Sequence, residues 1–176
     1  ESCPFIFTNG PKRGRVKQDF LKILWVMERG RFPLWDMVWV WKSMNGPSSA
    51  KEIENLGRAS LAVKTDVTSK NEVDNLINTT IEKFGSLDIM VSNAGVSSME
   101  NVIDMPEEKW DFNMDINLKG TFLVTQAAAK HMITQQKGKI ICTASMAGKG
   151  GVATQAHYNA SKHGVVAYVK SLAQEL

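Results

Sequence analysis

From residue 60 to residue 176 the sequence alternates short apolar runs with longer amphipathic ones, and that alternation leaves few folds open. Leu61-Ala62-Val63, Leu87-Asp88-Ile89-Met90-Val91 and Lys139 to Thr143 read as strands. The second is nearly continuous in its apolar character, as expected when both faces of a sheet are covered. Between the first two, Val73, Leu76, Ile77, Thr80, Ile81 and Phe84 recur with the spacing of one helical face. Strand, helix, strand, helix, strand, helix means parallel strands joined by right-handed crossovers. In such sheets ligands bind outside the carboxyl ends of the strands. Asp66, Asn93 and Ser145 stand at those three ends.

The punctuation supports these spans. Lys51 to Leu56 reads as the tail of a helix closed by Gly57, and Gly85 closes the next helix, since glycine tolerates positive φ just past a helix end. Ser69 with Glu72 fits a capping box. Asp104 with Glu107 fits another, opening a helix from Glu107 to about Gln135 with Pro106 in its first turn. On that helix Trp110, Met114, Asn117, Thr121, Val124 and Ala128 share one face. Asn117 is thus an amide on a packed stripe, and leaving it unpaired would cost about 1–3 kcal/mol. It therefore needs partners, whether its role is structural or functional. The last helix, Gln155 to Leu176, places Tyr158, Lys162, Val165, Val169, Leu172 and Leu176 within a narrow arc.

Tyr158 and Lys162 are the candidate chemical pair. Four residues apart on a helix, they lie one turn apart on the same face. An ammonium beside a phenol favours the phenolate, and the two together can pass a proton. Ser145 lies thirteen residues upstream at a strand end, followed by a glycine-rich loop to Thr154. A lone Y-x-x-x-K is more often two helix-surface residues. Here it is accompanied by Asn93-Ala94-Gly95, by Asn117 in Ile116-Asn117-Leu118-Lys119-Gly120, and by Asp66-Val67. His131, His157 and His163 have no metal-ligand spacing and read as structural or solvated.

In order and spacing these motifs resemble the short-chain dehydrogenase/reductase family over roughly Lys51 to Leu176. The resemblance implies an α/β fold with a Rossmann-type doubly wound parallel sheet. It implies hydride transfer between NAD(H) or NADP(H) and an alcohol/carbonyl pair, as in diacetyl/acetoin reductases or 3-oxoacyl-carrier-protein reductases. Tyr158 would be the general acid/base. Lys162 would favour its phenolate and hydrogen-bond the nicotinamide ribose. Ser145 would hold the substrate oxygen, and Asn117 a water linking Lys162 to solvent. Asp66 and Val67 would contact the adenine, and Asn93, Ala94 and Gly95 would line the cofactor cleft. Gln155 lies near where substrate contacts arise. Against the resemblance, the family's later C-terminal strands and substrate lid are expected to be missing, with the core truncated at Leu176 and the N-terminal βαβ unit degenerate. The expected partners are a small-molecule substrate and, in the full-length form, a homodimer or homotetramer, in the cytoplasm.

Residues 1–50 fit this resemblance poorly. Phe5-Ile6-Phe7 reads as a short strand and Gly10-Pro11-Lys12-Arg13-Gly14 as a phosphate-binding turn. The family's turn runs T-G-x-x-x-G-x-G, whereas Thr8 is followed by Asn9, and Val16 falls at the third glycine. A side chain there obstructs approach of the backbone to a pyrophosphate. Leu21 to Gly30 reads as the following helix and Met37 to Trp41 as the second strand. Four of the five tryptophans (Trp25, Trp35, Trp39, Trp41) crowd this segment. We therefore expect residues 1–50 to be a degenerate or non-native part of the dinucleotide-binding domain, and 51–176 its core. Lys42, just after the second strand, favours NADP over NAD. The alternative to an oxidoreductase is an inactive fragment that at most oligomerises.

Composition excludes several other classes. The first fifty residues hold eight basic and four acidic side chains, the remainder thirteen and fourteen, so the net charge of +3 belongs to the N-terminal part. No nucleic-acid-binding motif accompanies it, and neither nucleic acid nor a membrane is expected as a partner. Cys3 and Cys142 make no disulfide framework or metal spacing. Cys142, inside an apolar strand, reads as a buried thiol.

Overall fold

The computed structural model describes residues 24–28, 36–41, 46–57 and 59–176, with residues 24–28, 36–41, 46–49 and 52 described as backbone alone. Strands β1 (Leu24–Glu28), β2 (Asp36–Trp41), β3 (Ser60–Lys64), β4 (Ile89–Ser92) and β5 (Lys139–Cys142) form one sheet in the order β3-β2-β1-β4-β5. The helices are α1 (Gly46–Asn55), α2 (Lys70–Phe84), α3 (Glu107–Met114), α4 (Gly120–Thr134) and α5 (Ala156–Glu175). This is the open α/β sheet that the alternation from residue 60 demands. Phe5-Ile6-Phe7 and Gly10 to Gly14 lie outside the described residues.

The stripe on α2 holds as read. Val73, Leu76, Ile77 and Thr80 are buried, with Ile81 and Phe84 packed beside them. Thr80 fits an apolar stripe because its hydroxyl donates to the Leu76 carbonyl at 2.7 Å. They join Val67, Leu87, Met90, Val124, Ala128 and Met132 in one core. Gly85 closes α2 at φ 82°, its N–H donating to Ile81 O at 2.7 Å, and Gly57 follows α1 at φ 75°. Ser69 Oγ accepts from Glu72 N at 3.4 Å, half of the expected box. The Glu72 carboxylate instead accepts from the Asp66 N–H at 2.7 Å, tying the end of β3 to α2.

Four expectations need correction. Leu24–Glu28 is a strand, not part of a helix spanning Leu21 to Gly30. A short run with Trp and Val has no strong helical preference, and pairing on both sides decides it. That strand runs antiparallel to both neighbours, whereas β2 with β3 and β4 with β5 are parallel. Asp104 does not cap α3. It belongs to a short 3₁₀ turn, Val102–Asp104, and Pro106 stands at the N-cap without a side-chain bond. The long helix is also interrupted: Asp115–Lys119 is a π turn between α3 and α4. Such a turn inserts a residue and rotates the preceding face. Trp110 is consequently 40% exposed, and Asn113 takes the buried position.

Candidate active site

The carboxyl ends of β4 and β5 meet the N-terminal half of α5 and the π turn. Asn117 is fully buried at the centre. Its Oδ1 accepts from Val96 N–H at 2.7 Å, and its Nδ2 donates to Val96 O at 2.9 Å and to Ser161 Oγ at 3.0 Å. Ser161 Oγ in turn donates to Tyr158 O at 2.8 Å. The amide thus joins three segments: the loop after β4, the π turn, and the turn of α5 that carries Tyr158. A π turn leaves backbone carbonyls without their usual helical partners. Here the Asn117 carbonyl accepts the Thr121 hydroxyl at 2.7 Å.

Lys162 is buried, and its Nζ donates to Thr143 O at 2.9 Å, just beyond β5. Burial lowers its pKa from the ordinary lysine value, with the Cys142 thiol pulling weakly the other way. Nζ lies 5.9 Å from the centre of the Tyr158 ring, which is half-buried. Cys142 itself is half-buried rather than enclosed, because β5 lies at the sheet edge. Burial pushes its thiol up to about 11, against the pull of Lys162.

Ser145 Oγ accepts from Ala147 N–H at 3.2 Å, opening the 3₁₀ turn Met146–Gly148. That turn lies directly on α5. A Cβ on Gly148 would stand 2.9 Å from the Lys162 carbonyl oxygen. Glycine is therefore what brings Ser145 and Lys162 onto the same floor. We expect Gly148→Ala to destabilise the protein by roughly 1–3 kcal/mol, because the obstacle is backbone. Gly164→Ala should cost less, since its Cβ would meet only the flexible end of Leu118, at 2.8 Å. Chemical denaturation of the two variants checks the order.

Asn93, Ala94 and Gly95 follow β4 on the same floor. A Cβ on Gly95 would stand 3.2 Å from Asn117 Oδ1 and 3.5 Å from Lys162 Nζ. The bare backbone at Gly95 therefore lets the loop after β4 pack close to the Asn117 amide and the Lys162 ammonium. Asp66 and Val67 lie at the end of β3. The Asp66 carboxylate accepts from Thr68 N–H and Oγ at 3.0 and 2.9 Å. The Val67 side chain is core, close against Gly120. Gln155 stands at the N-cap of α5 without a side-chain cap bond. Lys42 is outside the described residues.

Sequence reasoning missed three participants. Ser161 lies inside the Y-x-x-x-K segment, three residues from Tyr158, and that spacing could have marked it. Ser98 and His157 are further apart, and only the fold joins them, at 2.7 Å between Oγ and Nε2. His157 is fully buried, its Nδ1 has no partner, and burial lowers its pKa from the ordinary histidine value, with Glu100 opposing and Lys109 reinforcing the shift. The unfolded chain takes up this proton from about pH 6.5 downward, and the folded chain only below its depressed value. His157 therefore stabilises fully above pH 6.5 and progressively less as pH falls towards the folded value. The melting temperature should fall more between pH 7.5 and 5.5 for the parent chain than for His157→Gln. Equal falls would remove His157 from the acid response.

A buried amide ties a strand end to a helix that carries a tyrosine and a lysine one turn apart, at the carboxyl ends of an open α/β sheet. A family model described as short chain dehydrogenase matches residues 37–176. The chain belongs to the short-chain dehydrogenase family. It is 42% identical to 3-oxoacyl-[acyl-carrier-protein] reductase of Synechocystis sp. over 127 residues, 72% of this chain and 51% of that protein. It is 37% identical to (-)-trans-carveol dehydrogenase of Rhodococcus erythropolis over 130 residues, 73% of this chain and 47% of that protein. The crystal structure of a short chain dehydrogenase from Mycobacterium smegmatis superposes with a TM-score of 0.77 at 34% identity, covering 80% of this chain and 60% of the other. The chain spans about half the length of the curated relatives it matches. Among the described residues no cluster of His, Cys, Asp or Glu could hold a metal ion, and no helix is long and apolar enough to cross a membrane.

Proposed function

We propose that this chain carries the proton-transfer site of an NAD(P)-dependent oxidoreductase that interconverts an alcohol and a ketone or aldehyde, with Tyr158 as general acid/base. The observation that supports it most is the Asn117–Ser161–Tyr158 chain of hydrogen bonds beside the buried Lys162. Nothing in a plain structural helix calls for a buried ammonium aimed at a strand-end carbonyl. When bound, NAD(P)H supplies the hydride and the protein supplies position and proton. The Tyr158 hydroxyl gives its proton to the carbonyl oxygen during reduction and takes one from the alcohol in the reverse direction. Ser145 Oγ already accepts from Ala147 N–H, so its own hydrogen remains to be donated to the same oxygen. Asn117 O accepts Thr121 and keeps a second lone pair for a water leading from Lys162 to solvent.

Similarity to the Synechocystis protein supports a 3-oxoacyl substrate over a diketone, and Lys42 after the second strand of the sequence favours NADP(H) over NAD(H). A homodimer or homotetramer in the cytoplasm belongs to the same reading. The test is a chimera in which residues 51–176 replace the matching half of the Synechocystis reductase. It should oxidise NADPH with an acetoacetyl thioester. Lys162→Met in that chimera should weaken both turnover and cofactor affinity. A folded chimera without activity sinks the reading.

The second reading is a non-catalytic chain that associates through its helices. It is favoured by Phe112, Phe122 and Ile133, all exposed along α3 and α4. Sedimentation of residues 1–176, with and without NADPH oxidation, separates the two.

A further inference from the structure

We infer that this chain takes a nicotinamide dinucleotide by its nicotinamide-ribose end alone, and gains little from the pyrophosphate and adenosine; this rests on the function proposed above. Open α/β sheets hold a pyrophosphate where a strand's carboxyl end turns into a helix N-terminus, at the point where strand order reverses. In this sheet that point lies between β2 and β4, and β1 fills it. Its direction is the wrong one. Leu24, its amino end, pairs with Ser92 and Val40 at the edge that carries Asn93 and Ser145. Glu28, its carboxyl end, pairs with Asp36 at the opposite edge. Only seven residues separate β1 from β2, whereas a parallel crossover with its helix needs a dozen or more. The carboxyl end of the central strand therefore faces away from the site, and no strand-to-helix turn following it can lie there. The nicotinamide side does not depend on that turn. Gly95, Asn117 and Lys162 are fixed by β4, the π turn and α5.

The experiment is a calorimetric and NMR titration of residues 1–176 with three probes: nicotinamide mononucleotide, NADP⁺ and 2′,5′-ADP. The mononucleotide and NADP⁺ should bind within about tenfold of each other and shift the same Gly95 and Lys162 signals, while 2′,5′-ADP should not bind. NADP⁺ binding more than tenfold tighter than the mononucleotide, or any saturable binding of 2′,5′-ADP, overturns the inference and leaves the proposed function standing. If none of the three binds to a chain whose NMR spectrum shows folded dispersion, the proposed function fails and the inference with it.

Discussion

Asn117→Ala is expected to cost roughly 3–5 kcal/mol of folding stability, the largest loss from any single polar truncation among the described residues. Four groups lose a bond at once: the Val96 N–H, the Val96 carbonyl, the Ser161 hydroxyl and, over a longer 3.4 Å, the Asn113 side-chain oxygen. Each unpaired buried group costs about 1–3 kcal/mol. Ser161 keeps its bond to Tyr158 O, which holds the total below the simple sum. Against a typical stability of about 5–15 kcal/mol, such a loss shifts a urea midpoint far towards zero. Asn113→Ala is the control. Its amide donates to Lys109 O within its own helix at 3.2 Å, and its other contact, to Asn117, is long at 3.4 Å. About 1 kcal/mol is expected there. If Asn117→Ala lies within 1 kcal/mol of the parent, the amide is not the tie between the β4 loop and α5.

Tyr158→Phe in the active chimera should lower turnover by about 10²–10⁴-fold, the usual worth of a positioned general acid. Cofactor affinity should change little. Phenylalanine keeps the ring that Lys162 Nζ approaches to 5.9 Å, and the backbone carbonyl that Ser161 holds is untouched. The combination separates chemistry from folding: a collapsed helix would lose both quantities together. Stopped-flow turnover and a direct titration of NADP⁺ measure them independently. Turnover within tenfold of the parent would remove Tyr158 from the acid/base role.

Much of the candidate site was legible because its residues sit at positions that local pattern defines. Asn93 and Ser145 follow apolar runs, so their place at strand ends needs no tertiary information. Tyr158 and Lys162 share a helix face by spacing alone. The partners of Asn117 were not legible. An amide on an apolar stripe announces that it must be satisfied, but Val96 and Ser161 lie twenty-one and forty-four residues away. The π turn was hidden for a related reason, since five ordinary residues, Asp115 to Lys119, carry no signature of a widened turn. Ser98 and His157 meet only because the loop after β4 is laid on α5, where Glu100 N–H donates to Thr154 O at 2.8 Å.

The sequence by itself determined the strands from β3 onward, the helices α2 and α5, the buried face of α2 and its caps, and the strand-end placement of the chemical residues. All of these follow from periodicities of two and 3.6 and from a few capping side chains, which act over one or two turns. Tertiary structure decided whether Leu24–Glu28 would be helix or strand, and which way it would run. A five-residue apolar run carries no direction in its composition. Its sense is set by the strands that flank it and by the length of chain that returns to them, and those are properties of the assembled sheet. The placement of Asn93, Ser145, Tyr158 and Lys162 therefore follows from local pattern, while the sense of the central strand is decided by a long-range pairing.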